Sequence, residues 1–140
     1  MPASRHRPLA YSALSHAVGA RQPEANQLTT AFNALCASLT GQLHPLFGAA
    51  ATDALFVRAL HLAGQEFPWV PALALESNGQ CSLEAAAAVA DTLPIEDLQA
   101  GLAAVLAYDI DLLIAFVGED LVIPLVRRAW PAIASELKGE

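Results

Sequence analysis

Two cysteines, Cys36 and Cys81, are all that 140 residues contain. They form neither a disulfide framework nor a metal-binding pair, and Cys36 reads as a small buried hydrophobe. Charge is scarce as well, at 15% of residues, and acids outnumber bases by 14 to 7. A net charge of −7 repels a phosphate backbone, which excludes nucleic acid as a natural partner. Signature motifs of catalysis are missing. There is no GxSxG, no glycine-rich phosphate loop, no Walker motif, and no Ser, His and acid in a nucleophilic arrangement. His6, His16, His44 and His61 do not share the ligand spacing of a helical zinc site. The sequence therefore predicts no enzyme, no metal and no cofactor.

Long uninterrupted apolar runs are also lacking. Residues 5–22 contain no continuous apolar core of the kind a signal peptide needs. Residues 25–52 carry no charge, yet Asn, Gln, Thr, Ser and His run through them. Residues 98–117 are interrupted by Asp109 and Asp111. On this reading neither stretch spans a membrane, and the chain is expected to be soluble and cytoplasmic.

What is present is apolar and helical in character. Hydrophobic residues make up 55% of the chain, with about thirty alanines, which lose no side-chain entropy in a helix. One domain of this length buries a true core. The apolar surplus over what a small core requires points to a face that binds a partner protein or a second copy. Charge is unevenly spread: residues 1–22 hold Arg5, Arg7 and Arg21 with no acid, whereas residues 76–140 hold eleven acids.

The chain also echoes itself at an offset of 70. Leu28 pairs with Leu98, Phe32 with Leu102, Leu35 with Val105, and Leu43 with Leu113. Gly48 then pairs with Gly118, Leu55 with Leu125, Arg58 with Arg128, and Ala59 with Ala129. Apolar class, glycine and arginine fall in register together, which predicts two equivalent units over about 8–70 and 78–135. Residues 1–7 are left as a flexible tail.

Helical spacing supports this layout. A short helix is expected over 9–20, ending at Gly19. Leu28, Phe32, Leu35, Leu39, Leu43 and Leu46 form a stripe over 23–46, closed by Pro45 and Gly48. A third helix runs over 49–66, and residues 67–81 link the halves. Ser82 caps a short helix over 83–91. The stripe Ile95, Leu98, Leu102, Val105, Asp109, Leu113 and Phe116 marks a helix over 94–117. Beyond Gly118, Glu119 and Asp120 suit the start of a last helix. The expected fold is all-α, a bundle of about six helices in two pseudo-symmetric three-helix units, with 23–46 and 94–117 at its centre.

Asp109 breaks the pattern, because it occupies the apolar stripe where the first half has Leu39. A carboxylate facing a core must find a partner or take up a proton. In a hairpin pivoting at Gly118, Arg128 lies level with it, so an Asp109–Arg128 pair is expected to set the hairpin register. Arg58, the equivalent of Arg128, either extends to water or joins it around an anionic ligand. Phe67 and Trp69, set between prolines in Phe67-Pro68-Trp69-Val70-Pro71, either cap the core or anchor an interface. Trp130-Pro131 is expected to cap the core in the second half.

The stretches DALFVRALHLAGQEFPWV (53–70) and LLIAFVGEDLVIPLVRRAWP (112–131) resemble phrases in a group of uncharacterised helical bacterial proteins. The match covers about 43–70 and 105–131. Leu46-Phe47-Gly48 replaces the isoleucine form of the first phrase, and Pro124 departs from the second. The resemblance implies a bacterial origin and a setting among signalling proteins, and it carries no catalytic residue. The expected function is a non-enzymatic regulatory or protein-interaction module. The alternative is a small-molecule sensor with a cavity between the halves, lined by Asp109, Arg58 and Arg128.

Overall fold

The computed structural model describes residues 6–19, 24–70 and 92–131. Among these there is no strand, and the fold is all-α. Helix α1 spans Arg7–Val18, with Pro8 in its first turn, where the missing N–H is no loss. Gly19 ends it in the left-handed conformation, at φ 69°, and donates its N–H to the Ser15 carbonyl.

Helix α2 spans Ala25–Glu66 and opens on a capping box. The Glu24 side chain accepts from the backbone of Gln27, whose own side chain accepts the Glu24 N–H at 2.8 Å. Within α2, Gly48 leaves helical geometry at φ 83° and ψ 161°, so the element bends into two arms. Pro45, three residues earlier, contributes no backbone donor and weakens the helix on the approach to the bend. Helix α3 spans Ile95–Val117, and Glu96 and Asp97 in its first turn complement the helix dipole. Gly118, at φ 96° and ψ 151°, turns the chain into α4, Glu119–Ala129. The two bends therefore share one backbone conformation that side-chain-bearing residues rarely adopt.

The described residues form four helices rather than about six. Helix resumes directly after Gly48, so the arms expected as separate helices over 23–46 and 49–66 make one bent element. The short helix expected over 83–91 lies outside the described residues. Of the tail expected over 1–7, residues 1–5 lie outside the described residues, and 6 and 7 are held in the fold. Arg7 opens α1, and both His6 and Arg7 hold partners on other helices.

Helix α3 is the axis of the molecule, packed against α1, α2 and α4. Every residue from Gly101 to Ile110 is buried, all round the helix rather than along one stripe. Small residues make this possible, because Gly101, Ala103, Ala104 and Ala107 let neighbouring helices approach closely. The indole of Trp69 lies on Gly101, where an added Cβ would stand 2.1 Å from Trp69 Cζ2. The first arm of α2 is amphipathic instead. It buries Leu28, Phe32, Leu35, Leu39 and Leu43 together with Cys36, and shows its other face outward. Phe32 meets Phe56 of the second arm with ring centroids 6.3 Å apart.

The expectation that no segment is fit to span a membrane is overturned. Both α2 and α3 are long and apolar enough to cross one, with mean hydropathies of 1.3 and 2.0 in their most apolar 18-residue stretches. Beyond the first turn of α3 only Asp109 and Asp111 interrupt its Leu, Ile, Val and Ala, too few to offset them. Within the fold, 61% of that stretch of α3 is buried against 28% for α2.

Candidate functional site

Polar chemistry concentrates where the start of α1, the end of α2 and the middle of α3 meet. Arg7 donates from both terminal nitrogens to the Glu66 carboxylate, each at 2.9 Å. Tyr108 Oη donates to Glu66 Oε1 at 2.5 Å, and the Arg7 guanidinium sits 5.6 Å from the Tyr108 ring centroid. One turn along α3, Asp111 Oδ1 lies 2.6 Å from His6 Nδ1. Three helices are thereby tied by side chains 42 to 105 residues apart in sequence.

The electrostatics follow from the contacts. The Arg7 hydrogen bonds, and then the Tyr108 hydroxyl, hold the Glu66 carboxyl at about 2, well below its ordinary value. Glu66 in turn raises the Arg7 pKa, chiefly through the same hydrogen bonds. Burial is the main reason that the Tyr108 hydroxyl titrates above its ordinary value, with the Glu66 charge adding to it. A carboxylate held so firmly ionised is a poor proton acceptor near neutral pH. The triad fits a staple that fastens α1 better than it fits acid–base chemistry.

Asp109 sits one residue beyond Tyr108 and is buried, at 6% exposure. Burial alone pushes its carboxyl up to about 7. The expected partner is not there. Arg128 is exposed at the end of α4, and no ion pair joins the two. The hairpin rule fails because level height does not set facing: Asp109 turns into the core, and Arg128 falls on the solvent side of α4. Arg58 is exposed too, so the three residues do not converge on one cavity. Two grooves lie elsewhere among the described residues. One of about 450 Å³ runs along Pro8, Tyr11, Ser12, Ser15 and His16. Another, of about 310 Å³, lies between α1 and the start of α2.

Phe67 and Trp69 fold back onto the core, half-buried and edge to face at 6.3 Å. Val70 beside them is fully buried. Trp130 closes the other half, buried, with Nε1 donating to the Leu35 carbonyl at 3.1 Å. These three aromatics pack inward.

Among the described residues, five large apolar side chains are exposed; Tyr11 and Val57 stand on α1 and the second arm of α2, and the other three lie near the two glycine bends. Leu46 is 55% exposed, Phe116 63% and Leu121 43%. Phe47 and Phe116 meet edge to face at 6.4 Å, which brings the two bends to one end of the molecule. Sequence reasoning assigned Leu46 and Phe116 to buried stripes, because each continues a helical spacing. The spacing holds, but both positions fall in the last turn before a bend, where the side chains are left exposed.

Among the described residues, no group of three or more His, Cys, Asp or Glu is placed to hold a metal ion. Comparison with family models, with curated proteins and with solved structures returned no match.

Proposed function

We propose that this chain is a non-enzymatic regulatory or protein-interaction module of bacterial signalling, working through the apolar end formed by the two bends. The observation that carries the reading is the exposure of Leu46, Phe116 and Leu121 beside the two bends, which the Phe47–Phe116 contact brings together. Large apolar side chains clustered in this way mark interaction surfaces more often than isolated ones do. The setting in signalling rests on the resemblance of the 53–70 and 112–131 stretches to helical bacterial proteins. The test is quantitative affinity capture from the native cell with the wild-type chain and with a Leu46→Ser, Phe116→Ser variant. Proteins retained by the first alone are then purified and titrated against both. At least tenfold weaker binding by the variant, with unchanged helicity and melting, is expected. Equal binding by both chains refutes the assignment of this surface.

We also read the fold as two equivalent units, each a long helix, a glycine bend and a returning helix. Support comes from the matching backbone at Gly48 and Gly118 and from the sequence register around them. Duplication of such a unit explains why the apolar end is built from equivalent parts, Leu46-Phe47 from one half and Phe116-Val117 from the other.

A further inference from the structure

The apolar end is not neutral. Within five residues of either glycine the chain carries three carboxylates, Asp53, Glu119 and Asp120, and no lysine or arginine. Asp120 is exposed, while Asp53 and Glu119 are partly so. The helix that ends at each bend and the helix that begins after it bring opposite half charges to the same place, so their dipoles largely cancel. The carboxylates therefore leave this end negative around its exposed Leu and Phe side chains. Arg58, Arg127 and Arg128 lie nine or ten residues from the glycines, towards the far ends of the returning helices.

That combination discriminates among occupants. An anionic lipid surface is repelled by carboxylates placed at the rim of the apolar contact. A second copy docked through the same end brings like charges together. An apolar segment flanked by lysine or arginine meets the patch with opposite charge and fills it with side chains of its own. Resting on the assignment of this end as the interaction surface, we propose that its partner is a basic amphipathic helix, presented by another protein. The Leu46, Phe116 and Leu121 side chains receive its apolar face, and Asp53 and Asp120 receive its cations.

The test uses the full chain and three labelled 18-residue helical peptides with one identical leucine face and a lysine, glutamine or glutamate polar face, read by fluorescence anisotropy. The lysine peptide is expected to bind at least tenfold more tightly than the glutamate peptide, with affinity falling as salt rises. Phe116→Ser is expected to cost at least tenfold, and Asp53→Asn with Asp120→Asn about fivefold, with unaltered circular dichroism. If all three peptides bind alike and Phe116→Ser weakens them all, the surface stands and the basic partner is wrong. If Phe116→Ser changes nothing, both fail. Sedimentation to a dimer abolished by Phe116→Ser overturns the proposal in favour of a second copy. Flotation with phosphatidylserine vesicles that depends on Phe116 overturns it in favour of a membrane.

Discussion

Replacing Asp109 by leucine should make the protein more stable, and increasingly so as pH rises. The carboxyl titrates at 3.8 in the ordinary case and at about 7 in the fold, pushed up by burial alone. Between those values the folded state holds a proton that the unfolded chain has released, so stability falls as pH climbs from about 4 to about 7. Below that window the group is neutral in both states and contributes no slope. Above it the full cost is present and constant. At about 1.4 kcal/mol per pH unit, the interval amounts to about 4 kcal/mol. In the Asp109→Leu variant the slope from this group is gone, and Leu39, buried in α2, shows that a leucine suits a buried helix face of this kind. Urea unfolding of both proteins at pH 4, 6 and 8 measures the difference directly. It should grow by about 4 kcal/mol from the first pH to the last, leaving the variant the more stable at pH 8. A difference that does not change with pH refutes the reasoning, because it means that the carboxylate is ionised and compensated in the fold. A variant less stable at pH 8 points the same way.

Other substitutions probe the remaining contacts. Gly101→Ala gains about 1 kcal/mol of helix propensity but drives a methyl into the Trp69 ring, and overpacking of about 1–3 kcal/mol should win. Thermal melts should show a loss that disappears in a Trp69→Ala background. Gly48→Ala and Gly118→Ala meet no atom within 4 Å at the added Cβ, so each should cost only backbone strain, about 1–3 kcal/mol, and the two should agree closely in chemical denaturation. Glu66→Gln should destabilise by about 1 kcal/mol at pH 7, a modest value because the side chain is 39% exposed and screened by water. Its carboxyl is depressed to about 2, so the stabilisation is complete above its ordinary value of 4.5 and disappears as pH falls towards 2. Acid titration of the two proteins should therefore converge.

Helical periodicity was a sound guide wherever a contact lay within one helix. It located α1, both arms of α2, α3 and α4 to within a few residues, and it singled out Asp109 as a buried carboxylate. The glycines at 48 and 118 were legible as bends because glycine interrupts a helical stripe and enters left-handed backbone at little cost. What could not be read was the way helices face one another. Arg7, Glu66 and Tyr108 form no pattern within any one helix, and only packing brings them together across 59 and 42 residues. The same blindness produced the Asp109–Arg128 pair, where height along a hairpin was taken for facing. The all-round burial of α3 also hid a distinction. A helix enclosed by its own fold and a helix made for lipid share a composition, and the sequence alone set that question aside too early.

The position of α3 has a consequence for how the protein is made. The helix that the other described helices enclose comes after α1 and α2 have both been synthesised. Leu28, Phe32, Leu39 and Leu43 then have no axis to pack on until the stretch ending at Val117 emerges, 51 residues after Glu66. At about 5–20 residues per second, the nascent chain spends roughly 3–10 s with an apolar face uncovered. Folding of the first half is thus postponed until the second half arrives, and ribosome-associated chaperones have that interval in which to bind it.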